Sequence, residues 1–73
     1  MQEAGPVVIE VELTPKTPSR LERIVRGWSI AVMAGDVAGV RYRCAPGRTL
    51  RAVRRAVEKI GAADRVDVEE LSE

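Results

Sequence analysis

Residues 28–34 read WSIAVMA, an apolar run that lies between Gly27 and Gly35. If the run were a strand, Ile30 and Val32 would lie on one face and Ala31 and Met33 on the other, so both faces would be apolar. A short apolar run bounded by glycines is typical of a strand that is buried on both faces. Gly27 suits the position just after a helix, where a left-handed backbone is common. The run therefore predicts a strand that follows a short helix.

Three other segments also predict strands, because apolar and charged residues alternate along them. In residues 7–13 (VVIEVEL) the predicted inward residues are Val7, Ile9, Val11 and Leu13. Residues 40–44 (VRYRC) place Tyr42 inward, and residues 65–71 (RVDVEEL) place Val66 and Val68 inward. The outward positions, which form the predicted open face of the sheet, are Glu10, Glu12, Arg41, Arg43, Asp67 and Glu69.

Two segments have helical spacing. The first covers residues 18–26, with Thr17 as N-cap and Pro18 at the first helical position. Its predicted core stripe is Leu21, Ile24, Val25 and Trp28. The second helix has Thr49 as its predicted cap, and Gly61 ends it. Its predicted core stripe is Leu50, Val53, Val57 and Ile60.

This order of elements predicts a ferredoxin-like βαββαβ sandwich: a four-stranded antiparallel sheet with two helices on one face. Residues 1–73 form one domain with its core in residues 7–71. In that strand order residues 28–34 lie at an edge, and an edge strand that is apolar on both faces is an aggregation hazard unless it is paired. We therefore expect a homodimer, with an interface that contains Trp28, Ile30, Ala31, Val32 and Met33.

Composition narrows the function mostly by exclusion. The 73 residues carry 12 basic and 11 acidic side chains, a net charge of +1, which argues against nucleic acid as the main partner. The chain has no histidine and one cysteine, Cys44, so we expect neither a metal site nor a cofactor. No apolar run is long enough for a membrane span, and the absence of an export signal predicts a cytoplasmic protein.

No pair of nucleophile and base can be drawn without histidine, unless a lysine or a carboxylate serves, so we expect no enzymatic activity. The predicted open face has two interpretations: solvated Glu–Arg pairs, or an anion site at Arg41 and Arg43. The basic side of the second helix also has two. It is either a solvated face or a docking patch for an acidic partner, formed by Arg48, Arg51 and Arg55.

The stretches VVIEVELTPKTPSRLERIV and AVEKIGAADRVDVEEL (residues 7–25 and 56–71) resemble the beginning and end of ACT domains, most of all those of acetohydroxyacid synthase small subunits. The resemblance implies a dimeric regulatory subunit of amino-acid metabolism, linked to branched-chain amino-acid biosynthesis and bound to a catalytic subunit. It also implies a small amino acid at the dimer seam, near Lys16, Thr17 and Ser19. This chain lacks the glycine usual in the family's first loop. The alternative is a protein-interaction module without a small ligand, which docks through the arginine-rich second helix.

Overall fold

The computed structural model describes residues 5–72, which fold as an alternation of three strands and two helices. In chain order the elements are β1 (Val7–Glu12), α1 (Pro18–Met33), β2 (Gly39–Cys44), α2 (Arg48–Ile60) and β3 (Val66–Glu70).

The sheet is entirely parallel, with β2 in the centre and the order β1-β2-β3. Parallel neighbours need a crossover connection, and such crossovers are almost always right-handed. Two right-handed crossovers that advance in the same direction place both helices on one face. There α1 and α2 pack against each other and against the sheet. The opposite face of the sheet carries no described element.

The core lies between the sheet and the helix layer. Tyr42 on β2 and Leu21 and Val25 on α1 are its largest fully buried side chains. Val53, on the middle of α2, is buried against them, as predicted. The predicted inward orientation of Tyr42 is also confirmed, and Cys44 is buried on the same side of β2.

The predicted fold class is wrong. The sheet has three parallel strands and not four antiparallel ones, so the domain is not the ferredoxin-like βαββαβ sandwich. The error lies in residues 28–34. Instead of forming a strand, they continue α1 as far as Met33. The fold implied by the resemblance to ACT domains is corrected with it, and nothing in the structure indicates an ACT domain.

Helix α1 runs through Gly27 because its buried face continues without interruption. Leu21, Val25 and Ser29 recur every four residues and are all buried. Ser29 also accepts a hydrogen bond from the Arg65 side chain, Nε to Oγ 2.8 Å. The helix ends at Met33 and Ala34 is its C-cap. Gly35 follows the cap with φ 82° and donates its N–H to the Val32 carbonyl at 3.0 Å. The left-handed residue expected at Gly27 therefore lies eight positions later along the chain.

The predicted helix signals hold elsewhere, with one exception. Thr17 caps α1 by accepting from the Arg20 N–H at 3.4 Å, and Pro18 follows it. Gly61 ends α2 with φ 74°. The exception is Thr49, since Gly47 occupies the N-cap position of α2 and Thr49 is buried inside the helix.

We predict that Gly27→Ala stabilises the protein by about 0.5–1 kcal/mol, because Gly27 is an interior helix residue with open space at its missing Cβ. For a domain of this size that stabilisation raises the melting temperature by a few degrees, which a thermal melt followed by circular dichroism measures.

The control is Gly61→Ala. At φ 74° this substitution forces an L side chain into the left-handed region, and we expect it to destabilise by about 1 kcal/mol. A loss of stability in Gly27→Ala as large as that in Gly61→Ala would contradict a continuous α1.

Candidate functional site

The two faces of β1 are reversed relative to the prediction. Val7, Ile9 and Val11 are 50–54% exposed, on the side of the sheet that has no helix. Leu13, just beyond the strand, is exposed as well. The strand itself was predicted correctly, but alternation alone does not say which of its two faces meets the helices.

The open face of the sheet consists of three chemically different rows. Paired residues of parallel neighbours share a face, and the register aligns Ile9 with Arg41 and Arg41 with Asp67. Arg43 of β2 faces Glu69 of β3, with Nη2 and Oε2 3.9 Å apart. The rows are therefore apolar on β1, basic on β2 and acidic on β3. Of the residues predicted for this face, the β2 and β3 members are correct, and Glu10 and Glu12 are not.

Among the described residues, β1 is an edge strand, and its unpaired main-chain groups belong to the same residues as the apolar row. The carbonyl of Pro6 accepts from the Ala38 N–H at 2.8 Å, and the carbonyl of Glu12 accepts from the Ala45 N–H at 2.9 Å. The main-chain N–H and C=O groups of the even-numbered residues of β1 therefore point toward β2. Because these groups alternate along a strand, the N–H and C=O of Val7, Ile9 and Val11 point away from the sheet.

The helix-facing side of β1 carries two carboxylates. Glu12 is only 9% exposed and forms an ion pair with Lys16, in the loop that leads to α1. Glu10 is half-buried and has no ion-pair partner within residues 5–72. Charged side chains that point inward from an edge strand oppose indiscriminate pairing of that edge.

The carboxylates of β1 lie beside Tyr42 and Cys44 of β2. Burial, and secondarily the charges of Glu10 and Glu12, raise the pKa of Tyr42 well above its ordinary value. The nearby Trp28 side chain lowers the pKa of Tyr42 and so partly opposes this shift. It does not form a hydrogen bond of normal geometry, so the buried Tyr42 hydroxyl has no hydrogen-bond partner within residues 5–72. Burial and Glu12 likewise raise the pKa of the Cys44 thiol, and Arg54 opposes them.

An open groove of about 420 Å³ lies between Glu10 of β1 and one side of α1. Its lining is largely apolar, with one carboxylate on the strand side. The lining residues are Glu10, Arg23, Ile24, Gly27, Trp28 and Ala31. The groove and the free edge of β1 are adjacent, so one bound segment can reach both.

The residues that the ACT resemblance implied for amino-acid binding lie in the β1–α1 loop and at the start of α1. The Thr17 hydroxyl is occupied as the N-cap, Lys16 is paired with Glu12, and Ser19 is exposed on the first turn. None of the three lines the groove beside β1.

The residues predicted for a dimer interface do not form a strand. Trp28 and Ala31 line the groove, whereas Ile30 and Met33 are exposed on α1. Strand pairing through residues 28–34 is therefore wrong. The predicted docking patch of Arg48, Arg51 and Arg55 is exposed along α2.

Within the described part of the chain, no helix is long and apolar enough to cross a membrane. The same residues contain no cluster of three or more metal-ligating side chains. Comparison of the chain with protein-family models, with curated proteins and with solved structures finds no match.

Sequence reasoning missed the exposed apolar row and the buried Glu12. One signal was present: the spacing from Glu12 to Lys16 allows the two charges to pair, which lets the strand turn its glutamates inward.

We predict that Tyr42→Phe leaves the free energy of unfolding unchanged or raises it by up to about 1 kcal/mol, because the deleted hydroxyl is buried without a partner. Chemical denaturation followed by circular dichroism measures it. Tyr42→Leu serves as the control for lost volume and should destabilise by more than about 1 kcal/mol. A similar loss in Tyr42→Phe would show that the hydroxyl is hydrogen-bonded.

Proposed function

We propose that this chain is a non-catalytic interaction module that forms a homodimer through the free edge of β1. The observation that supports this proposal most directly is the coincidence of two features on the same residues. Val7, Ile9 and Val11 present main-chain groups at the edge that are unpaired within residues 5–72, and half-exposed apolar side chains on the open face. Such an edge is a template for pairing with another strand.

A second copy satisfies that edge by antiparallel pairing across a two-fold axis. Each outward N–H and C=O of one β1 then meets its counterpart, and the sheets of the two chains become continuous. The apolar rows become neighbours about 5 Å apart, a distance at which cross-strand side chains bury one another. Small domains have marginal cores and gain stability from such an added interface.

The inward carboxylates select the register of this pairing. Centring the axis on Glu10 or on Val11 would place Glu10 opposite the Glu10 or the Glu12 of the second copy. Like charges directly opposite one another are destabilising. Centring it on Ile9 places Glu10 opposite Val8 of the second copy, so this register avoids the repulsion.

The groove beside β1 fits the same register. Val8 lies on the helix-facing side of β1, as Glu10 does, so Val8 of the second copy enters next to Glu10 at the groove wall. There it meets Ile24, Trp28 and Ala31 on α1. The second copy thus places an apolar side chain at the wall of an apolar groove, and by symmetry part of the groove of each chain is covered.

The chemistry of the buried groups supports a binding role over an enzymatic one. A reactive cysteine requires a lowered pKa and solvent access, whereas Cys44 is fully buried and its pKa is raised. Amino-acid sensing stays a prediction. The fold on which it rested is wrong, and Lys16 and Thr17 make contacts within the chain.

We predict a mass of twice the 8.0 kDa monomer in light scattering at micromolar concentration, and a monomer for Ile9→Pro. Proline at this position removes an outward N–H but none of the hydrogen bonds to β2, and proline is tolerated on edge strands for that reason. Circular dichroism should show that the Ile9→Pro monomer remains folded.

Ile9→Thr is the matched control, because it shortens the apolar side chain but keeps the N–H, and it should weaken the dimer without abolishing it. A wild-type monomer at high micromolar concentration would overturn the proposal. So would a folded Ile9→Pro variant that still dimerises as the wild type does.

A further inference from the structure

Charge is strongly segregated between the helices and the rest of the chain. Helices α1 and α2, together the helix layer, carry eight basic and two acidic residues. The rest of the sequence carries four basic and nine acidic residues. The net charge of +1 therefore conceals a helix layer with a net charge of +6. The net charge of the chain therefore does not exclude nucleic acid as a partner, since the charge of the surface that meets a partner determines binding.

The centre of this layer is a stripe on α2 formed by Arg48, Arg51 and Arg55, the arginine stripe. Spacings of three and four residues place the three side chains on one side of a helix. That side is opposite the buried Val53 and Val57. All three arginines are exposed, and none forms an ion pair within residues 5–72. Arg54 is also exposed, and Lys59 is held by Glu22 of α1 at 3.3 Å.

The exposed surface of α2 lacks what a protein partner ordinarily needs. Protein interfaces have an apolar or aromatic centre that carries most of the binding energy. Every exposed residue of α2 is charged: Arg48, Arg51, Arg54, Arg55, Glu58 and Lys59. An array of unpaired guanidinium groups instead suits a partner whose attraction is electrostatic along its whole length.

We propose that the helix layer binds the phosphate backbone of nucleic acid, with the arginine stripe as its centre. A guanidinium donates a planar pair of hydrogen bonds to a phosphate, and this geometry favours arginine over lysine at such sites. The positive surface is widened by three exposed arginines of α1, which are Arg20, Arg23 and Arg26. The stripe holds no aromatic or amide side chain for reading base edges, so binding is independent of sequence. This inference does not depend on the dimer.

The test is fluorescence anisotropy of the full chain with two labelled DNA duplexes of unrelated sequence, each about 20 base pairs long, at about 50 and about 200 mM KCl. We expect equal affinity for the two duplexes, with a dissociation constant on the order of 10⁻⁶–10⁻⁴ M that rises with salt. Arg51→Gln/Arg55→Gln should bind roughly tenfold more weakly at low salt. The slope of log K against log [KCl] should become less steep by an amount that corresponds to about two phosphate contacts.

The control is Arg41→Gln/Arg43→Gln, which removes the same charge from the open face of the sheet and should bind within about twofold of wild type. If both variants bound DNA equally weakly, the arginine stripe would not be the binding site, because net charge alone would then govern the affinity. No binding to either duplex at the lower salt concentration would overturn the proposal. Binding to polyglutamate but not to DNA would overturn it as well, in favour of an acidic protein. Circular dichroism confirms that each variant is folded.

Discussion

The unbroken length of α1 is the constraint on which the rest of the structure depends. A strand can pair in parallel with the next one only if the connection returns the chain along the full length of the sheet. The sixteen residues of α1 span about 24 Å, enough to pass the six residues of β1. Had the helix ended at Gly27, the following residues could have turned back as an antiparallel strand. Gly27 is therefore the point at which the two topologies separate.

From that constraint follows the bare face of the sheet. Two like-handed crossovers place both helices on one side, and a parallel sheet is ordinarily covered on both. The open face here presents an apolar row on β1 next to the charged rows of β2 and β3. The charged rows satisfy one another in water, as Arg43 and Glu69 do at 3.9 Å, but the apolar row has no such neighbour. That imbalance favours β1, over the rest of the sheet, as the surface of the proposed association.

Local signals in the sequence predict local structure well and the arrangement of elements less well. Thr17, Pro18 and Gly61 mark helix ends by chemistry that acts within a few residues, and all three were predicted correctly. The prediction of a strand at residues 28–34 is wrong because a short apolar run is compatible with a helix as well as with a strand. The prediction of which face of β1 points inward is wrong for a related reason. The position of a helix elsewhere along the chain decides which alternate residues of the strand are covered. The exposed arginines of α2 were predicted because helical spacing is again a local property.

The two proposed surfaces differ in their physics, so they respond differently to the solvent. Pairing along β1 rests on main-chain hydrogen bonds and apolar contact, which added salt does not screen. Phosphate binding by the helix layer rests on released counterions and falls steeply as salt rises. The inward Glu10 and Glu12 contribute to both, because they fix the register of the edge and keep negative charge on β1, apart from the arginine-rich helices. A chain with almost no net charge can therefore carry two separate interaction surfaces, provided that its fold sorts the charges onto different elements.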